Sequence, residues 1–267
     1  SSISRECTTR LIRARRASVT VTRTEPGSLR MATRRYALIT FDLDDTLWDA
    51  APVLARAEQR VEQWMRVHCP RVPERFDRAA LMDLRRRLHR ERPELQHRIS
   101  ELRIEAMRLA LLAAGHDEAS ARRLAAQAFA VFMEGRHDIE PYAGVDTVLE
   151  RLARHYVLGA LTNGNADVFR LPLGRHFRFA FSAEALGASK PAPGHFEAAL
   201  RAADVTPERA LHVGDHLEHD VLGARRAGMT AVWFNRAGRG HEGDEPAHAE
   251  FRDFEELPAL IERLEEE

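Results

Sequence analysis

The sequence is almost without lysine. Of its 40 basic residues, Lys190 alone is lysine and the rest are arginine. Such a bias reflects arginine-rich codon usage. It leaves position 190 as the one place that offers a compact ammonium instead of a planar fork. Cysteine is nearly as scarce. Cys7 and Cys69 are the only two in 267 residues, which argues against a disulfide framework or a cysteine-built zinc site and makes a reducing cytoplasm the expected setting. Runs of about 18 apolar residues are missing, so neither a membrane-spanning helix nor a membrane partner is expected. An excess of one charge is missing too: the net charge is −1, which argues against a protein built to coat nucleic acid.

What is present is an ordinary globular composition, 44% hydrophobic and 30% charged. The length of 267 residues fits one large domain, or a domain carrying an insertion. The charge is uneven. Residues 1–30 hold seven arginines against two glutamates, are rich in Ser and Thr, and show no periodicity. Residues 1–32 therefore read as a disordered leader or upstream extension, with a transit peptide as the alternative for so basic and Ser-rich a segment.

Behind Met31, Tyr36-Ala-Leu-Ile-Thr-Phe41 is an apolar run ending at Asp42, the pattern of a buried parallel strand. Residues 51–140 contain no strand candidate. Val53, Ala57, Val61 and Met65, then Leu81, Leu84 and Leu88, then Ile99, Leu102, Ala106 and Leu109 recur at helical spacing, and Ala121–Met133 gives a fourth helix. After Pro141 the chain alternates. Strands are expected at Val157–Leu161, Phe179–Phe181, Ala210–Val213 and Thr230–Phe234, and helices at Val145–His155, Pro193–Ala203, Asp220–Ala227 and Leu257–Leu264. Residues 236–248 read as a surface loop. The fold class is therefore α/β: a Rossmann-like parallel sheet with helices on both faces, formed by 33–50 and 141–267, with 51–140 as an inserted helical domain.

In such sheets ligands bind beyond the carboxyl ends of the strands. The first strand opens onto Asp42, Asp44, Asp45 and Thr46, the second onto Thr162, Asn163 and Asn165. Lys190 lies past the third, and Asp215, Glu218 and Asp220 follow the fourth. Carboxylates gathered at one edge repel by roughly 4 kcal/mol per pair at about 4 Å and an effective dielectric near 20. A hard divalent cation removes that cost, and an oxygen-only donor set favours Mg²⁺ over zinc. One lysine with several hydroxyl and amide donors on the same edge suggests an anionic substrate, most simply a phosphate.

Four motifs carry a resemblance. Phe41-Asp42-Leu-Asp44-Asp45-Thr46-Leu47, Leu161-Thr162-Asn163-Gly164-Asn165, Ser189-Lys190-Pro191, and Gly214-Asp215 with Asp220 resemble, in order, the four motifs of the haloacid-dehalogenase-like (HAD) superfamily. The likeness spans about residues 34–265 and puts the helical insertion where that superfamily carries a cap. The wording of residues 41–49, 162–166 and 211–215 is closest to a bacterial branch with phosphatases acting on FMN and on 5-amino-6-(5-phospho-D-ribitylamino)uracil.

The resemblance implies roles. Asp42 would be the nucleophile that forms an aspartyl-phosphate, and Asp44 the acid and then base. Mg²⁺ would be held by Asp42, the Asp44 backbone carbonyl and Asp215, with Asp220 as a ligand through water or a neighbour behind the ligands. Thr162, Asn163 and Lys190 would bind the phosphate, Lys190 also neutralising the nucleophile. Thr46 and Asp45 would shape the loop, and His212, His216 and His219 would be surface or supporting groups. Trp48, beside the first motif, is a candidate to stack on an aromatic substrate, and Arg85-Arg86-Arg87 reads as a solvated helix face. The implied partner is a small phosphorylated metabolite. Phosphoglycolate, a sugar phosphate or phosphomutase chemistry are the alternatives within the superfamily, as is dehalogenation, which needs no acid at position 44. A receiver-like signalling domain or a phosphate-binding scaffold without turnover would use similar parts. Receiver domains, however, place their acidic pair before the phosphoacceptor, whereas here Gly214-Asp215 comes last.

Overall fold

The computed structural model describes residues 34–240 and 247–267. The expected leader, residues 1–32, lies outside the described residues, as does the middle of the 236–248 loop. Six strands form one parallel sheet: β1 (Leu38–Phe41), β2 (Val157–Thr162), β3 (Phe179–Ser182), β4 (Ala210–Gly214), β5 (Thr230–Phe234) and β6 (Ala249–Phe251), in the order β3-β2-β1-β4-β5-β6. Sequence reading missed β6. Its three residues, Ala-Glu-Phe, carry no apolar run.

Side chains alternate across the sheet as the two-residue period demands. Ile39, Phe41, Leu211, Val213, Val232 and Phe234 point to one face. There they meet α6 (Val145–Ala153) and α10 (Leu257–Glu266), which supply Val145, Leu149, Leu257 and Ile261. Leu38, Ala210, Ala231 and Trp233 point to the other face, against α8 (Gly194–Ala203) and α9 (Gly223–Arg226) through Phe196, Ala199 and Ala224. A short α7 (Ala183–Leu186) follows β3. Both faces are covered, so the inner strands are fully buried.

Between β1 and α6 the chain makes five helices: α1 (Ala50–His68), α2 (Arg71–Arg75), α3 (Arg78–Glu91), α4 (Ile99–Ala113) and α5 (Glu118–Arg136). They bury a separate apolar cluster that includes Ala57, Val61, Met65, Leu84, Leu102, Ala106, Ala125 and Phe132. Helices α1 and α5 cross closely, because a Cβ on Gly135 would lie 2.7 Å from Ala57 Cα. No helix among the described residues is long and apolar enough to cross a membrane.

Two features of this topology position the site. The chain builds β1, β2 and β3 outward on one side, then crosses to β4 beside β1 and builds outward again. The β1/β4 junction is thus the switch point where a crevice forms. The expected helix at Asp220–Ala227 also starts earlier, as a wide π-helical turn over Leu217–Leu222 that runs into α9. This turn brings Asp220 back under the end of β4. A Cβ on Gly214 would lie 2.3 Å from the Asp220 carboxyl carbon, so that approach requires glycine.

Candidate active site

Asp42 follows β1, Thr162 ends β2 and Asp215 follows β4, so neighbouring strands deliver three of the expected residues to one edge. A cavity of about 230 Å³ there is lined by Asp42, Asp44, Asp45, Thr162, Asn163, Gly164, Lys190, Asp215, His216, His219 and Asp220. All seven residues singled out from sequence as catalytic, phosphate-binding or metal-binding line this one cavity.

Lys190 is the hub. It is 2% exposed, and its Nζ donates to Asp42 Oδ1 at 2.5 Å, Asp220 Oδ1 at 2.6 Å and the Leu161 carbonyl at 2.7 Å. An ammonium has three donors and all three are taken. The expected direct bond from Lys190 to a phosphate oxygen therefore finds no free N–H in this arrangement. Burial acts to lower the Lys190 pKa, but the charges of Asp220 and Asp42 outweigh it and hold the ammonium protonated.

The two carboxylates that share this cation are not equivalent. Asp220 Oδ1 also accepts from His212 Nε2 at 3.2 Å, and its Oδ2 accepts from the His216 backbone N–H at 3.0 Å. Burial opposes its ionisation, yet Lys190 and His212 prevail and keep Asp220 below the usual carboxylate range. Burial likewise lowers the His212 pKa, leaving the ring neutral. The Thr40 hydroxyl, 2.8 Å from Nδ1, then serves as donor to it, which leaves the proton on Nε2 for Asp220. Asp42 has fewer donors, Lys190 and, at 3.5 Å, the Thr46 hydroxyl. Burial pushes its carboxyl well above the usual range; Lys190 opposes this, while Asp220 and Asp215 add to it. Asp215 is pushed up to about 6 by burial and by the charges of Asp220 and Asp45.

These raised values fit a site made for a cation. Carboxylate oxygens of Asp42, Asp215 and Asp220 lie within 4.8 Å of one another. A hard metal ion suits that all-oxygen set. Asp220 already accepts three hydrogen bonds, so it serves first as the brace for Lys190, with Asp42 and Asp215 the freer donors.

The loop residues behave as framing. Asp45 adopts φ 62° and its carboxylate caps the backbone N–H of Ala50 at the start of α1. The Thr46 hydroxyl reaches Asp215 at 3.2 Å. Thr162 Oγ1 accepts from the Gly164 N–H at 2.9 Å, which leaves its own hydroxyl hydrogen free to donate. Asn163 is held differently from expectation. Its side chain brackets the Lys190 backbone, accepting from N–H at 2.8 Å and donating to C=O at 3.0 Å. Its main task is to fix Lys190, with one amide hydrogen left over.

Two further expectations need correction. Trp48 is fully buried and cannot stack on a substrate; its indole N–H donates to Asp44 Oδ1 at 2.8 Å. Arg85 is not a solvated charge. It pairs with the half-buried Glu58, which Arg103 also contacts, whereas Arg86 is exposed and pairs with Asp83. His212 is buried behind Asp220, and His216 and His219 stack at the mouth of the site with ring centroids 3.9 Å apart. One residue went unseen altogether. Arg136, on the last turn of α5, is 1% exposed and bonds Asp44 Oδ2. The sheet edge thus gathers buried carboxylates around one buried lysine, with Arg136 of α5 reaching Asp44.

A family model for haloacid dehalogenase-like hydrolases matches residues 36–228, and the chain belongs to that family. It is similar to the 5-amino-6-(5-phospho-D-ribitylamino)uracil phosphatase YigB of Escherichia coli K12, at 35% identity over 74% of this chain and 83% of that protein. It is 33% identical to a glyceraldehyde 3-phosphate phosphatase of Pyrococcus furiosus, over 88% of this chain and 95% of the other. Among solved structures, a 2-haloacid dehalogenase from Pseudomonas syringae pv. tomato DC3000 superposes with a TM-score of 0.82 and 43% identity, covering 86% of this chain and 99% of that one. The protein is thus a hydrolase of the HAD family with phosphatases among its relatives.

Proposed function

We propose that the protein is a Mg²⁺-dependent phosphomonoester hydrolase working through an aspartyl-phosphate on Asp42. The observation that carries this reading is the pair Asp42 and Asp44 on one loop, lining one cavity with Asp215 and Asp220, which cluster with Asp42. An Asp42 oxygen attacks phosphorus. As that bond forms, the bond from phosphorus to the leaving oxygen breaks, and Asp44 gives its proton to the leaving alkoxide. Water then attacks phosphorus, Asp44 takes back a proton, and the Asp42–phosphorus bond breaks to release inorganic phosphate. Lys190 holds the Asp42 carboxylate in place, and the Thr162 hydroxyl with Asn163 donates to the phosphate oxygens. Mg²⁺ among Asp42, Asp215 and the Asp44 carbonyl, with Asp220 behind, would supply positive charge that keeps Asp42 ionised and neutralises the phosphoryl group. The helices over the edge act as the cap that excludes water.

For the substrate we favour a small cytoplasmic phosphorylated metabolite, with the phosphorylated ribityl-aminouracil or FMN first because of the likeness to YigB. The likeness to a haloacid dehalogenase supports a second reading, carbon–halogen hydrolysis on Asp42. Asp44 weighs against it, since that chemistry has no leaving alkoxide to protonate. The test is a phosphate-release assay with and without Mg²⁺ on FMN, ribityl-aminouracil phosphate, phosphoglycolate, glyceraldehyde 3-phosphate and sugar phosphates, with halide release from 2-chloropropionate alongside. Phosphate in solution separates a hydrolase from a mutase. Asp42→Asn is expected to abolish turnover; retained turnover, or halide release without phosphate release, overturns the proposal.

A further inference from the structure

Arg136 is the last residue of α5, the helix that returns the chain from the insertion to the core. Its Nη2 donates to Asp44 Oδ2 at 2.5 Å, and its Nε donates to Asn165 Oδ1 at 3.3 Å. The other Asp44 oxygen accepts from the Trp48 indole at 2.8 Å. The Asp44 carboxyl is therefore gripped on one side by its own loop and on the other by the insertion. Gly164 makes room for this grip. A Cβ there would lie 2.5 Å from Asp44 Oδ2 and 3.3 Å from Arg136 Nη2. The contact continues outward, because Asn165 Nδ2 donates to the Ser100 hydroxyl on α4 at 3.1 Å.

Stability does not account for this arrangement. Taking a guanidinium out of water is costly, and packed apolar residues commonly do as well or better in place of a buried ion pair. Arg136 Nη1 is also buried without a partner, a further penalty. A side chain that burdens the fold in this way, while touching one reacting carboxyl, is best explained by that carboxyl.

We infer that Arg136 is a positioning residue that aims Asp44 at the leaving oxygen, and that it does so only while α5 is seated on the core. This rests on the reading of Asp44 as general acid. The geometry makes the seat of the insertion and the aim of the acid one event.

The experiment compares two shape-matched esters, p-nitrophenyl phosphate and phenyl phosphate. p-Nitrophenolate departs without a proton, whereas phenolate gains more from one, so a misaimed acid is felt mainly on the second. Arg136→Met keeps the stem packing and removes the donors. Asn165→Ala loosens the guanidinium from outside the pair and guards against a variant that fails to fold. Asp44→Asn is the reference. The expected result is that Arg136→Met loses about tenfold or more extra kcat on phenyl phosphate relative to p-nitrophenyl phosphate, with KM little changed, and that Asn165→Ala shows a smaller bias in the same direction. A merely structural role lowers both esters alike. If Asp44→Asn is selective and the Arg136 and Asn165 variants are not, the inference falls and the phosphatase reading stands. If Asp44→Asn is itself unselective, the general-acid reading falls and takes the inference with it.

Discussion

Lys190→Arg keeps the charge and changes only its shape, so it isolates what the single lysine does. In the structure the ammonium points three N–H groups at three acceptors, Asp42, Asp220 and the Leu161 carbonyl, at 2.5, 2.6 and 2.7 Å. Those acceptors converge on one atom. A guanidinium spreads its donors in a plane and cannot present three to a point. It would keep one of the three bonds. Hydrogen bonds to charged groups contribute about 1.5–3 kcal/mol each, so losing two removes roughly 3–6 kcal/mol from the assembly that holds Asp42. At about 1.4 kcal/mol per factor of ten, kcat falls by roughly 10²- to 10⁴-fold. The assay is initial-rate phosphate release at saturating Mg²⁺, with circular dichroism and a melting curve to confirm folding. A folded Lys190→Arg protein that turns over within about threefold of the parent would refute the reasoning, because the bond count would then not govern the rate.

Metal affinity is expected to depend on pH through the mouth of the cluster. Asp215 is pushed up to about 6, and only its ionised form binds a cation. Protons therefore compete below that value, and Mg²⁺ affinity measured by calorimetry is expected to be about tenfold weaker or more at pH 5 than at pH 7.5, the upward shift of Asp42 acting in the same direction. Affinity that stays flat over that range would contradict the raised pKa. Gly214→Ala drives a Cβ to 2.3 Å from an Asp220 carboxyl that Lys190 and His212 hold in place. The expected cost is about 1–3 kcal/mol, seen in a melting curve as a fall of several degrees.

The residues of the candidate site were legible where each stood at the end of a strand, because a buried parallel strand announces itself as an apolar run and its carboxyl end as the next polar residues. Asp42, Thr162 and Asp215 were found that way. Lys190 was found by its rarity. Arg136 could not be found, since it is one arginine among many at helical spacing and its partner lies 92 positions earlier in the chain. Trp48 was misread because adjacency to a motif in sequence says nothing about which way an indole turns. Here it turns inward to Asp44, and its backbone bridges to Pro141 at the foot of the returning chain. The wide turn at Leu217–Leu222 also escaped notice, because helical periodicity does not distinguish one turn width from another.

The central place of β1 has a consequence for biosynthesis. Asp42 is made early, but the ammonium that shares its bond is encoded 148 positions later, and Asp220 comes later still. At about 5–20 residues per second, Lys190 follows Asp42 from the ribosome by roughly 7–30 s. During that interval the middle strand of the sheet ends in an acid with no cation to meet it, and its neighbour β4 does not yet exist. The helices of 50–136 bury an apolar cluster of their own, so they can assemble while the sheet waits. The candidate site is therefore completed by the last third of the chain, and a truncated product carries Asp42 without Lys190, Asp215 and Asp220 around it.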